Sequence, residues 1–235
     1  MPTLSALPRF QCTACGDCCR GFQSDYEPPC FDDSGLLVLH PMRLPFFDFE
    51  AEVFEQRGIT VLPAKVLVDL KADQAIVVEC TFAQQDCPLL DGDRCTAHGR
   101  KPLTCDAYPC NYRIAGNRIQ ATFYDGKCPA EMPRKDLLRI LGMQEGQQAS
   151  IARFEQGMKE RYGPSFDADR KKKATEATIL SFLRTLTEQG VIRPAKPGYD
   201  PAQLKRRAER MRMIPVSTLF AQHTGKSLRS ATAKD

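Results

Sequence analysis

Apolar and polar positions follow two different rhythms along this chain. Val66-Leu67-Val68-Asp69-Leu70 and Ala75-Ile76-Val77-Val78 are short runs rich in β-branched residues, separated by the polar Lys71-Ala72-Asp73-Gln74. Such runs, broken by turn-forming residues, predict the two strands of an antiparallel hairpin. A second hairpin is expected where Tyr112-Arg113-Ile114 and Arg118 to Phe123 flank Ala115-Gly116-Asn117, because Gly and Asn accept the positive φ of a tight turn. Asp48 to Arg57 predicts a short helix, entered after Pro45 and closed by Gly58.

From Arg134 onward the spacing becomes helical. Asp136 to Leu141 begins one helix and Gln147 to Tyr162 a second. Asp169 to Gln189 carries the clearest pattern, with Ile179, Leu180, Leu183 and Leu186 on one face and Gly190 at the stop. Pro201 to Met213 predicts a charged fourth helix, and the small and polar residues 224–235 predict a frayed tail. Phe10 to Gly21 has neither rhythm and reads as a loop folded around whatever its thiols hold. Turn residues (Pro28, Pro29, Asp32, Asp33, Gly35) follow it. The expectation is an α+β chain: a loop-rich cysteine domain with small antiparallel hairpins over 1–129, then a helical region over 130–235.

Charge sharpens that division. Residues 1–129 carry 12 lysines and arginines against 17 aspartates and glutamates, whereas residues 130–235 carry 21 against 12. The basic half reads first as solvated helix surface. Its sharper reading is a docking face for an acidic protein partner or for nucleic acid. At 235 residues the chain is long enough for a sizeable core. No stretch of eighteen apolar residues suggests a membrane span, and Met1 to Gln11 hold no apolar run like that of a signal peptide. A cytoplasmic location is expected.

The eleven cysteines, all between Cys12 and Cys128, carry the chemistry. In a reducing compartment, clustered thiols read as metal ligands or redox groups rather than as a disulfide frame. The first group is Cys12-x2-Cys15-x2-Cys18-Cys19. A two-residue gap turns two sulfurs toward one ion, and Gly16 suits a turn whose N–H groups point at sulfur. This spacing fits a tetrathiolate zinc site and an iron–sulfur loop equally. Adjacent Cys18 and Cys19 are expected to point in different directions in an extended segment, so that each serves a different metal or one of them is merely nearby. The second group, Cys87, Cys95, Cys105 and Cys110, has gaps of seven, nine and four residues, too irregular to name a metal. Pro88, Pro102 and Pro109 stiffen its approaches. Cys30 and Cys80 read as small buried hydrophobes or spare thiols. Cys128 stays between the two readings, His98 reads as a polar loop residue before a ligand, and His40 and His223 read as surface residues.

Phe-x-Cys-x2-Cys-Gly-x-Cys-Cys-x-Gly, then Cys-Pro-x-Leu, an acidic turn, a further Cys and a later Cys, resembles the CxxCxxCC (YkgJ-type) cysteine-cluster proteins over about Phe10 to Cys128. The resemblance implies chelation of zinc or iron by Cys12, Cys15, Cys18, Cys19, Cys87, Cys95, Cys105 and Cys110. Three departures stand out: Ala97-His98 replaces the usual Ile-Tyr, Lys101-Pro102 the usual Arg-Pro, and Cys105-Asp106 the usual Cys-Arg. The motif is also similar to that of the larger flagellin lysine N-methylases. This implies a second reading, an iron–sulfur enzyme using S-adenosylmethionine. Gly-x-Gly, P-loop, Gly-x-Ser-x-Gly and His-Glu-x-x-His patterns are all missing from the sequence, so no common enzyme motif argues independently for catalysis. The expected function is metal binding through clustered thiolates.

Overall fold

The computed structural model describes residues 9–12, 15–22, 24–97, 99–110, 112–115, 118–121 and 151–231. In chain order, its strands are β1 (Cys30–Phe31), β2 (Leu37–Val38), β3 (Phe46–Phe47), β4 (Leu62–Asp69), β5 (Gln74–Thr81), β6 (Leu90–Asp91), β7 (Arg94–Cys95), β8 (Tyr112–Ala115), β9 (Arg118–Ala121) and β10 (Arg212–Pro215). The helices are α1 (Glu52–Glu55), α2 (Leu103–Asp106), α3 (Ile151–Tyr162), α4 (Pro164–Glu188), α5 (Pro201–Ala208), α6 (Val216–Thr224) and α7 (Leu228–Ala231). The α+β expectation is met.

The chain forms two units interleaved in sequence. One comprises residues 1–20 and 90–172, the other residues 21–89 and 173–235. Composition suggested a cut at 129/130. The units divide elsewhere because β10, far along the chain, completes a sheet begun near residue 30.

That sheet is the frame of the second unit. Its order is β1-β2-β4-β5-β10, with β3 also on β5. The predicted β4–β5 hairpin pairs from Leu62↔Thr81 to Asp69↔Gln74. Both strands are buried along nearly their whole length, which is why they read as apolar runs rather than as a half-polar alternation. Beyond β4, the second edge of β5 is shared. β10 runs parallel to it at Arg212↔Gln74 through Pro215↔Val77, and β3 runs antiparallel at Phe46↔Cys80 and Phe47↔Glu79. Phe46 stacks on Phe54 with ring centroids 4.4 Å apart, and Phe54 meets Phe82 at 5.7 Å. All three rings are fully buried.

Three buried acids pin this unit. Asp69, with no exposed surface, accepts from the backbone N–H groups of Lys71 and Arg193 and so ties the hairpin turn to the 190–194 loop. Asp48 accepts from the N–H and hydroxyl of Ser217, joining the β3 region to α6. Asp32 accepts from Leu36 N–H and pairs with Lys65 at 3.0 Å, while Lys65 also faces Glu79 at 3.4 Å. Burial works against the Lys65 ammonium, but Glu79 and Asp32 outweigh it and hold the ammonium above its ordinary value.

One helix stop and one helix start follow their sequence signals. At the end of α4, Gly190 takes φ +67, its N–H bonds Thr187 O, and Val191 N–H bonds Leu186 O. This is the paired closure of a Schellman motif. Asp200 caps α5 by accepting from Ala202 N–H, with Pro201 in the first turn. The expected fourth helix ends at Ala208, five residues short of Met213, because Arg212 to Pro215 pair with β5 instead. Fraying from residue 224 is not what the structure shows either. α7 follows, and Leu228 is buried. The helix expected at 136–141 lies outside the described residues.

In the first unit, Phe10 N–H bonds Arg161 O and its ring meets Tyr162 at 5.9 Å, so the start of the cysteine loop is anchored on α3. The expected β8–β9 hairpin is present, with Tyr112↔Ala121 to Ala115↔Arg118 in register.

Candidate metal centre

The first cysteine loop closes as a tight 3-10 turn. Gly16 takes φ +74, Asp17–Cys19 form the turn, and Cys19 N–H bonds Gly16 O at 2.9 Å. This local geometry overturns the expectation that Cys18 and Cys19 diverge. In an extended chain neighbours point to opposite sides. In the 3-10 turn the two sulfurs lie 3.8 Å apart and share a hydrogen bond.

Arg20 fixes the loop to the β6–β7 hairpin. It donates to Gly92 O at 2.7 Å, to Asp93 Oδ1 at 2.6 Å and to Cys15 O at 3.3 Å. Gly16 lies so close to that hairpin that an added Cβ would sit 3.2 Å from Asp93 Cα and 3.2 Å from Leu90 Cδ1. The hairpin carries Cys95, with Leu90↔Cys95 in register. The short helix α2 carries Cys105, its first turn closed by Cys105 N–H on Pro102 O.

These pieces put Cys105 within the electrostatic reach of three other thiols. Burial pushes the Cys105 thiol well up, and negative charge on Cys19, Cys95 and Cys18 pushes it further, while Lys101 opposes. The Cys18 thiol is raised first by its hydrogen bond to Cys19 and then by burial, again against Lys101. Lys101 is thus the cation that would offset thiolate charge here. Neither it nor Arg20 is marked by a ligand spacing in the sequence. The hints are that Arg20 directly follows the cysteine pair and that Lys101-Pro102 stands where the resembling family has Arg-Pro.

The eight-thiol set implied by the motif is not found as one group. Cys18 and Cys19 are in contact, and charge on these two and on Cys95 is felt at Cys105. Cys12 is exposed, Cys15 is half-buried, and Cys110 is buried just after a cis Tyr108–Pro109 bond. Cys87 belongs to the second unit and is buried. Among the described residues, no three or more His, Cys, Asp or Glu side chains are arranged to hold a metal ion. Of the other cysteines, Cys80 is buried in β5, its thiol pushed up to about 12 by burial and by Asp48, Glu55 and Glu79; Cys30 is half-buried in β1. Both fit the reading of small apolar residues. His40 is half-buried rather than fully on the surface, and burial and then Lys205 lower its pKa. Cys128 and His98 lie outside the described residues.

The donor chemistry nonetheless suits a thiophilic metal. Two sulfurs on a tetrahedral zinc with bonds of about 2.3 Å are separated by about 3.8 Å, which is the Cys18–Cys19 separation. Comparison with known proteins adds nothing to this geometry: no family model matches the chain, and no curated protein or solved structure matches it. The resemblance to the CxxCxxCC proteins therefore rests on the motif alone. Among the described residues, no helix is long and apolar enough to cross a membrane.

Proposed function

We propose that this protein binds zinc or an iron–sulfur centre through thiolates of its first unit, with Cys18, Cys19, Cys95 and Cys105 as the ligand set. The observation that carries this reading is the electrostatic influence on Cys105 of three thiols from two other chain segments, Cys18, Cys19 and Cys95. The tetrahedral-edge spacing of Cys18 and Cys19 supports it. When bound, the metal would supply a cross-link between loops that have little core of their own, so its binding free energy would count as folding free energy. Lys101 would offset part of the net negative charge of a tetrathiolate. Cys15, Cys18, Cys30, Cys80, Cys95 and Cys105 are thiols rather than disulfides, which agrees with a cytoplasmic home.

The test is metal and acid-labile sulfide per chain, with the visible spectrum, after purification without oxygen. Zinc without sulfide, or iron with matching sulfide and a brown colour, supports the reading and tells the two apart. Cys19→Ser and Cys105→Ser should lower the metal content, and Cys30→Ser should not. Protein that retains no metal and takes up neither zinc nor iron on reconstitution would refute it.

A further inference from the structure

One end of the sheet in the second unit is strongly basic, and most of the charge comes from a turn, a loop and a strand rather than from a helix face. Four chain segments meet there. Lys71 lies in the β4–β5 turn and donates to Gly190 O. Arg193 lies in the loop after α4 and donates to Leu70 O at 3.3 Å, while Leu70 N–H bonds Arg193 O at 2.8 Å. Asp69 bridges to Pro194 and is in register with Gln74, and Gln74 is in turn beside Arg212 of β10. Arg207 of α5 reaches Asp73 of the same turn at 2.6 Å. Lys71, Arg193 and Lys196 line one open cleft of about 490 Å³. All five cations are exposed.

The acids at this end do not cancel them. Asp69 is fully buried and bonded to backbone N–H groups and to Gln74. Asp73 is exposed but paired with Arg207. Among the described residues, Glu188, at the last turn of α4, and Asp200, beside Tyr199, are further exposed acids close in sequence to the cleft residues; Asp200 is engaged in capping α5 through Ala202 N–H. Three residues after Lys196, Tyr199 is 50% exposed, in a turn closed by Tyr199 N–H on Lys196 O. An aromatic face left in water among lysine and arginine heads is what a strand with regularly spaced phosphates and stackable bases uses. An acidic peptide needs only the charge.

We propose that this end of the second unit binds single-stranded nucleic acid, with the backbone phosphates on Lys71, Arg193, Lys196 and Arg212 and a base on Tyr199. The residues of this surface and those of the thiol cluster belong to different units, so the proposal is tested independently of metal binding.

The test is fluorescence anisotropy of the full chain with a labelled 20-nucleotide oligo-dT or oligo-U across a salt series. The parent protein should bind with affinity falling steeply as salt rises. Arg193→Gln with Lys196→Gln should weaken binding about tenfold at low salt and flatten the log–log salt slope by about 1.4, at about 0.7 per phosphate contact on a single strand. Tyr199→Ala should weaken binding about tenfold and leave the slope unchanged. Lys226→Gln, after α6, should change neither. Circular dichroism melts and metal content confirm that each variant is folded. Failure of the parent protein to bind either oligonucleotide at low salt would overturn the proposal. So would equal losses in Lys226→Gln, or binding of a poly-glutamate peptide in place of the oligonucleotides, which would mark an acidic protein partner.

Discussion

Replacing Gly16 by alanine separates a backbone requirement from a packing requirement. At φ +74 an alanine is strained, by about 1–2 kcal/mol for a left-handed conformation. A less flexible unfolded chain returns about 0.4–1 kcal/mol of this. The net backbone cost is then about 1 kcal/mol. Gly92, in the β6–β7 turn at φ +55, faces the same cost alone, because a Cβ there meets nothing within 4 Å. At Gly16 the new methyl also lies 3.1 Å from Arg20 Nη1, 3.2 Å from Leu90 Cδ1 and 3.2 Å from Asp93 Cα. The arginine head can swing away, but a backbone Cα cannot. Overpacking of this kind adds about 1–3 kcal/mol. Gly16→Ala should therefore cost about 2–4 kcal/mol where Gly92→Ala costs about 1. Urea unfolding followed by circular dichroism measures both, and hydrogen exchange at residues 15–20 localises the loss to the cysteine loop. If the metal reading holds, the extra 1–3 kcal/mol should appear as a zinc dissociation constant raised about 5- to 150-fold in Gly16→Ala relative to Gly92→Ala. Equal losses in the two variants would show that the close approach of loop and hairpin is not real.

The second unit offers two further tests. Lys65→Met should destabilise it by about 3–5 kcal/mol, because Asp32 and Glu79, with side chains only 5% and 8% exposed, lose their shared cation; adding Glu79→Gln should recover part of the loss, and a urea midpoint that barely moves would count against the buried triad. Asp48 sets a pH dependence: burial holds its carboxyl above the ordinary value despite its bonds from Ser217. The folded chain thus takes up this proton at a higher pH than the unfolded chain does. Lowering the pH from 7 through the folded value should stabilise the fold, the gain being complete below the unfolded value of about 3.9. Asp48→Asn should remove that component from a plot of melting temperature against pH, and an unchanged slope would exclude Asp48 as its source.

The elements legible in the sequence are those whose signal is local. The β4–β5 hairpin announces itself through two apolar runs around Lys71 to Asp73, and α4 through Ile179, Leu183 and Leu186 followed by Gly190. β10 was hidden because Met213 and Ile214 are two apolar residues after a charged helix. Only their pairing with Ala75 and Ile76, far back in the chain, makes them a strand. β3 was hidden for the same reason: Phe46 and Phe47 acquire their register from Cys80 and Glu79. At the candidate site, the thiols were visible as residue types, but which of them meet was not. Spacing suggested that Cys18 and Cys19 part company, and the turn set by Gly16 brings their sulfurs together. Arg20 and Lys101 act through contacts with segments distant in sequence, so no spacing rule could single them out.

The parallel pairing of β10 on β5 also has a consequence for synthesis. β5 is complete at Thr81, but its partner at Arg212 to Pro215 emerges about 130 residues later. At about 5–20 residues per second, that interval is roughly 7 to 26 s. Throughout it, Gln74 to Val77 present an open strand edge of mostly apolar sequence, the kind of template on which nascent chains stick to one another. The ribosome-bound chain therefore has a window in which a chaperone is its natural cover. A protease that removes the chain from Arg212 onward would return the finished protein to that same exposed state.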